Sequence, residues 1–300
     1  MVMGGRNEPG MAMIPVYYSP EMVADSGAYS PSSAKPIHVV ASWRERGFPI
    51  EVIAPPALSA EDLALAHDRE MVDDILACRR LNGFRNRSRT VARTLPFTAG
   101  AMYAAALRAL ADQRVAVAPC SGFHHAGYSS SHGFCTFNGL MVAARLLHDR
   151  HGAKRVAILD FDEHYGDGTD DILNHLEIDW VDHYSAGEHE FDADDAERFL
   201  AQIPIVLDGM ARRGSQLVLY QAGADPHIDD PLGGFLSTEQ LYRRDRAVFE
   251  SCRRLGMPVA WNLAGGYQML EGLSGADEIR PVLEIHDNTM RACVAVYAAR

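Results

Sequence analysis

The sequence predicts an α/β fold: a single domain with a mostly parallel sheet and helices on both faces. Three observations carry that expectation. Short β-branched or apolar runs alternate with longer amphipathic stretches along the whole chain, the pattern of repeated strand–helix units. Several short runs, such as Val115-Ala116-Val117-Ala118 and Val156-Ala157-Ile158-Leu159, are apolar at every position, as strands buried on both faces require. No internal repeat, low-complexity tract or long Pro/Gly/Ser linker divides the 300 residues. One domain over residues 1–300 is therefore expected, with 1–12 as a flexible N-terminus.

Taken in order, strands are expected at residues 13–17 and 51–54, where apolar residues cluster between turn-forming ones. Helices follow at 61–67 and 71–80, the first opened by Ser59 ahead of Glu61 and Asp62, a capping residue with an acidic first turn. A helix at 98–111 leads into a strand at 115–118, and a helix at 139–150 into a strand at 156–161. The second half alternates in the same way, with strands at 180–183, 217–221 and 259–263. Its helices are placed at 193–210, at 238–255 behind the cap Ser237, and over much of 277–297.

Composition narrows the functional classes. With 47% hydrophobic and 23% charged residues the chain has the makeup of a folded soluble protein. Its 40 acidic against 28 basic residues leave a net charge of −12 and no basic run, which argues against nucleic-acid and anionic-membrane partners and favours cationic substrates. Five cysteines, none spaced C-x-x-C, read as reduced thiols in a reducing compartment. Polar residues 6–10 interrupt any signal-peptide core, and the longest apolar stretch, 99–118, is broken by Arg108, Asp112 and Arg114. A cytoplasmic protein is expected, and a homo-oligomer is compatible with all of this.

The chemistry gathers where strands end. The expected strands at 115–118, 156–161, 217–221 and 259–263 each run into a polar or Gly-rich cluster. Ligands of open parallel sheets bind outside the carboxyl ends of the strands, so these four segments should converge. In Asp160-Phe161-Asp162-Glu163-His164-Tyr165-Gly166-Asp167, side chains alternate faces, which puts Asp160 and Asp162 on one side. Two buried carboxylates repel unless a cation compensates them. Asp162 and His164 can both reach one divalent ion, and Asp225, also following a buried strand, offers a third ligand. Two carboxylates and an imidazole leave a position open, the arrangement of a catalytic zinc; an acid-rich capping loop is the plainer reading of the same residues. The adjacent His124 and His125 offer two groups that handle protons near neutral pH, with Asp160 and Asp167 as partners fixing their tautomers. Tyr267, after Gly265-Gly266, could donate its hydroxyl to an oxyanion.

Together these residues resemble the zinc-dependent histone deacetylase and acetylpolyamine amidohydrolase family, whose fold is arginase-like. The likeness runs from about Tyr18-Ser19-Pro20-Glu21 to Tyr267. It is carried by Gly122-Phe123-His124-His125-Ala126, Gly133-Phe134-Cys135-Thr136-Phe137-Asn138, residues 160–168, Gly223-Ala224-Asp225 and Gly265-Gly266-Tyr267. The resemblance implies one zinc ion per chain on Asp162, His164 and Asp225. It also implies His124 and His125 as the acid/base pair on Asp160 and Asp167, and Tyr267 as the carbonyl polariser. Gly133, Phe134, Gly265 and Gly266 would contact substrate, and a potassium ion would sit by Asp160 and the backbone of Asp162 and His164. The activity implied is removal of acetyl or other acyl groups from an amine such as acetyl-lysine, an acetylpolyamine or a small metabolite. Two departures stand out. Ser185-Ala186-Gly187-Glu188-His189 lacks the usual aromatic block of the tunnel wall, and residues 81–90 are rich in Arg and Asn. Competing readings are a two-metal ureohydrolase, suggested by Asp225-Pro226-His227, and an acyl-lysine-binding module without turnover.

Overall fold

A computed structural model describes residues 12–298. The flexible segment expected at 1–12 lies outside these residues except for its last member. Seven strands form one sheet: β1 (Ile14–Tyr17), β2 (Ile50–Ile53), β3 (Val115–Ala118), β4 (Val156–Asp160), β5 (Val181–Ser185), β6 (Val218–Gln221) and β7 (Val259–Asn262). Their spatial order is β2-β1-β3-β7-β6-β4-β5, and every pairing is parallel. The expected mixture is thus wholly parallel among the described residues.

Parallel neighbours need crossovers, and helices supply them. These are α1 (Lys35–Glu45), α2 (Ala60–Leu63), α3 (Arg69–Leu76), α4 (Arg89–Asp112), α5 (Gly139–His151), α6 (Asp167–His175), α7 (Ala196–Arg212), α8 (Thr238–Leu255) and α9 (Arg280–Tyr297). They pack in two sets, α4 against α5, and α1, α9, α8 and α7 in series, one set for each face of the sheet. Trp43 of α1 meets Trp261 of β7 edge-on at 5.6 Å, and Phe249 of α8 lies 6.0 Å from the same indole. Both Trp side chains are fully buried, and burying a large apolar side chain contributes roughly 1.5–3 kcal/mol.

Local chemistry explains most element ends. Ser59 and Ser237 each cap a helix through a reciprocal capping box, the latter closed by Gln240. Several expectations are corrected. The helix expected at 61–67 closes at Leu63, and the one at 71–80 occupies 69–76. α4 begins at Arg89 rather than 98, behind the cap Ser88, because Pro96 is accommodated inside it and its carbonyl is taken by the Leu58 N–H. The start of the helix expected at 193–210 is a 3-10 turn, 193–195. Helices α1 and α6 were not anticipated. All five cysteines are free thiols, four of them buried. Among the described residues no helix is long and apolar enough to cross a membrane.

The register sets up the site. Ala118 of β3 pairs with Asn262 of β7, Asn262 with Gln221 of β6, Gln221 with Asp160 of β4, and Asp160 with Ser185 of β5. Five adjacent strands therefore end at one level, in a row that turns from apolar to polar after β3.

Candidate metal and catalytic site

Above that row the loops after β3, β4, β6 and β7 converge. Asp162, His164 and Asp225 present donor atoms within 4.8 Å of one another. His164 Nδ1 lies 3.3 Å from Asp162 Oδ1 and 3.3 Å from Asp225 Oδ2. Both carboxylates are buried. Burial and the neighbouring Asp162 push Asp225 up to about 8. The two carboxylates beside its ring, Asp162 first and then Asp225, hold the His164 imidazolium up to about 11. Burial would raise Asp162 as well, but His124 and His164 outweigh it and bring it below the usual carboxylate range.

Three features fit this cluster to a divalent ion. The donor set suits zinc or a similar first-row metal. Asp225 Oδ2 is buried with no hydrogen-bond partner, an anomaly for a carboxylate unless a cation meets it. A Cβ placed on Gly265 would lie 2.0 Å from Asp225 Oδ2 and 2.8 Å from Asp162 Oδ2, so only glycine lets the β7 loop approach the pair. The Gly265 N–H donates to Asp162 Oδ2 at 2.8 Å.

The two histidines are held as the sequence suggests. His124 Nδ1 donates to Asp160 Oδ2 at 2.7 Å, and His125 Nδ1 to Asp167 Oδ1 at 2.6 Å. Their rings lie 4.0 Å apart, and His124 Nε2 is 3.5 Å from Asp162 Oδ1. Burial opposes the charged form of His124, but Asp160 and Asp162 outweigh it and raise the group to about 9. Gly133 adopts φ +55°, and a Cβ there would strike the His125 ring at 2.4 Å. Phe134, also left-handed at φ +62°, stands 5.7 Å from the Tyr267 ring and 6.0 Å from Phe84. Tyr267 is buried, and burial with the nearby Asp225 and Asp162 raises its phenol well above the ordinary value. Its hydroxyl is consequently kept as a donor. The turn before it runs through Ala264 at φ +51° and Gly266 at φ +129°, while the Tyr267 N–H donates to Asp230 Oδ2 at 2.8 Å.

The metal cluster, the two paired histidines and the Gly133-Phe134 and Gly265-Gly266-Tyr267 segments thus come to one place, yet several residues that shape it were missed. Gln221 donates to Asp160 Oδ1 at 3.2 Å, and Asn262 reaches Gln221 Oε1 at 3.4 Å. Arg244, fully buried on α8, donates to the carbonyls of Phe161 and Gly223 at 3.1 and 2.8 Å, so one guanidinium ties the two aspartate-bearing loops together. Lys35, fully buried, donates to the carbonyls of Ala264 and Gly265 at 2.9 and 3.0 Å. Burial lowers it to about 8, with Asp225 and Asp162 resisting. A charged residue on an otherwise apolar helix face was the available signal for both. His132 places Nε2 3.3 Å from Asp167 Oδ2. His227, the residue behind the two-metal reading, is engaged elsewhere: Nε2 meets Thr238 Oγ1 at 3.0 Å and Nδ1 accepts the Asp229 N–H at 3.1 Å. Residues 188–190 are exposed and bring no aromatic ring to the expected wall.

Comparison with known proteins bears on the family and the fold. The histone deacetylase domain matches residues 31–191, just over half of the chain. An uncharacterized protein of Picosynechococcus sp. is 32% identical over 224 residues, covering 69% of this chain and 71% of the relative. A histone deacetylase-like amidohydrolase of Pseudomonas aeruginosa is 28% identical over 283 residues, covering 77% and 74%. The chain spans between a fifth and about half the length of several other curated relatives. Among solved structures, the HD domain of HDA15 superposes with a TM-score of 0.76 at 19% identity, covering 96% of this chain and 90% of that one.

Proposed function

Because the chain belongs to the histone deacetylase domain family, we propose that it is a metal-dependent amidohydrolase removing acetyl or related acyl groups from the amine end of an aliphatic chain. The observation that carries this reading is the juxtaposition of the Asp162–His164–Asp225 cluster with two carboxylate-paired histidines and a protonated tyrosine. A pure binding module has no use for a complete set of proton-handling groups. A two-metal ureohydrolase needs further bridging ligands, and His227 is turned to Thr238 instead.

When bound at Asp162, His164 and Asp225, one divalent ion, zinc by its donor set, supplies Lewis acidity to the acyl carbonyl and acidity to a water molecule. The chain's own groups do the rest. His125 donates through Nδ1 to Asp167, which leaves Nε2 with a free lone pair to take a proton from the attacking water. His124, held charged by Asp160 and Asp162, stabilises the negative charge that develops beside it. Tyr267 donates its hydroxyl to the oxyanion of the tetrahedral stage. The proton on His125 then passes to the departing amine. A potassium ion beside Asp160 and the backbone of Asp162 and His164 belongs to the same reading, and no step depends on it.

Substrate preference follows from the mouth. Phe134 and Gly133 form one wall of the approach, and the segment 185–189 carries acidic and histidine residues in place of an aromatic block. With a net charge of −12, that opening favours acyl amines that carry further positive charge. Free thiols support a reducing, cytoplasmic setting.

The test is hydrolysis of a fluorogenic acetyl-lysine amide and of acetylated polyamines by zinc-loaded protein, with elemental analysis of the bound metal. Tyr267→Phe is expected to keep its zinc and lose about 10²–10³-fold in turnover. Inertness of the zinc-loaded wild type towards both substrate types would remove the enzymatic reading, and full activity of Tyr267→Phe would remove the tyrosine from the mechanism.

A further inference from the structure

A second cluster of ligating atoms lies outside the metal site just described. His132, Asp167 and His125 bring one donor atom each within 4.8 Å of one another. They come from three separate stretches: the turn that includes Gly133, the start of α6, and the loop after β3. His132 and Asp167 are open to solvent, with side chains 50% and 45% exposed, whereas His125 is 18% exposed. The His125 and His132 rings face one another at 5.4 Å and 33°. A β-bridge between His132 and Cys135 pins the backbone that carries His132.

We propose that His132, Asp167 and His125 form a binding site for a second divalent transition ion, such as zinc, and that filling it switches off the proton relay beneath. The donor chemistry is selective: two imidazoles and one carboxylate suit zinc, nickel or copper and disfavour magnesium and calcium. The His132–Asp167 spacing already suits such an ion. Donors of a tetrahedral zinc at about 2.0–2.1 Å stand about 3.3 Å apart, and His132 Nε2 lies 3.3 Å from Asp167 Oδ2. The remaining tetrahedral position faces solvent and would take water.

Inhibition follows from the nitrogen used. His125 Nδ1 now donates its hydrogen to Asp167 Oδ1 at 2.6 Å, leaving Nε2 unprotonated. An ion bound at Nδ1 displaces that hydrogen. In the neutral ring it moves to Nε2, which changes from proton acceptor to proton donor, and a ring that was charged releases one proton to solvent. At the same time Asp167 turns its carboxylate to the ion. The other relay is out of reach of this exchange, because Asp160 is fully buried and bonded on both oxygens.

The inhibitory half of this inference rests on the function proposed above, whereas the binding half does not, so the experiment reads them separately. Full-length protein is dialysed against buffered free zinc and the bound ions are counted by elemental analysis, without any substrate. Wild type is expected to bind two ions, the second more weakly, while His132→Ala binds one and His132→Cys, which restores a donor, binds two. Circular dichroism confirms the fold of both variants, whose altered side chain is half-exposed. In parallel, hydrolysis is followed as zinc rises above one equivalent. Wild type should lose at least tenfold in rate, and His132→Ala, measured against its own rate at one equivalent, should need at least tenfold more zinc for half-inhibition. A single ion on wild type at saturating zinc, or equal second-ion affinity in His132→Ala, overturns the site. Two ions with no inhibition overturns the switch. A protein without hydrolytic activity defeats the functional reading, and the ion count of His132→Ala then decides the site alone.

Discussion

The two histidine–aspartate pairs perform the same hydrogen-bonding task in opposite surroundings. In the inner pair, His124 is 4% exposed and Asp160 not at all, and Asp160 also accepts the Asp162 N–H and the Gln221 amide. In the outer pair, His125 is 18% exposed and Asp167 45%, with His132 as the further neighbour of that carboxylate. Burial without water makes each bond of the inner pair stronger and the loss of any one more damaging. The outer pair is screened and can exchange partners. One fold thus separates a fixed charge from an adjustable one across only 4.0 Å between rings.

The largest effect is expected where the sealed pair is broken. Asp160→Asn can keep an oxygen for the Asp162 N–H but sets an amide donor against His124 Nδ1, so the ring loses its carboxylate and its tautomer. Turnover should fall by about 10⁴-fold, as when the carboxylate of a catalytic histidine becomes an amide, and stability by about 3–5 kcal/mol, measured by chemical denaturation. Activity within tenfold of wild type would erase the distinction drawn between the pairs.

Sealing extends to His67, which is buried and bonded on both nitrogens, Nδ1 to the Gly127 carbonyl and Nε2 from the Asn138 N–H, each at 2.8 Å. Burial is the main cause that lowers it from 6.5 to about 4. The unfolded chain therefore takes up a proton between those values while the folded one does not. The stabilisation is complete above pH 6.5 and fades as the pH falls to about 4, amounting to about 3 kcal/mol. His67→Gln should flatten the pH dependence of the unfolding free energy in that window. An unchanged slope would assign the acid sensitivity to other groups.

Asp167→Asn should do less. A loss of about 10–100-fold in kcat is expected with the melting temperature almost unmoved, since the site is open to water. Comparison of its kinetics with Asp160→Asn, under identical zinc loading, sharpens the contrast directly. Gln221→Leu should give the smallest change. It removes one of three bonds to Asp160 and should destabilise the fold by about 1–3 kcal/mol, with zinc content retained by elemental analysis.

Much of this was legible in the sequence because parallel strands buried on both faces have no polar interruption until they end. Val156-Ala157-Ile158-Leu159 followed by Asp160 marks both the strand and the position of the site in one stretch. The histidine pairings were equally readable, since each ring has an acidic partner at the mouth of the same converging loops. Other parts were hidden for physical reasons. α1 opens with Lys35-Pro36, which reads as a loop, and its lysine hydrogen-bonds to carbonyls more than two hundred residues away. α6 begins with Asp167 and Asp170, and acidic residues at a helix start look like the tail of a ligand loop. Arg244 shares the helical spacing of Leu241, Val248 and Cys252 on α8, so its inward side is legible but the two carbonyls it meets are not. Contacts that bind distant segments through a single polar side chain have no periodic trace.

The sheet order carries a lesson about biogenesis. Among the described residues β7 is the last strand, yet it lies between β3 and β6, so until residues 259–262 emerge the first three strands and the next three are two separate slabs with open inner edges. Such edges invite pairing with other chains, and late closure across so long a stretch is slow. The loop that delivers Gly265 to the carboxylates arrives with that strand. During synthesis, then, the chain would pass through a vulnerable interval with its chemistry unassembled, and the same event that ends the vulnerability completes the cradle.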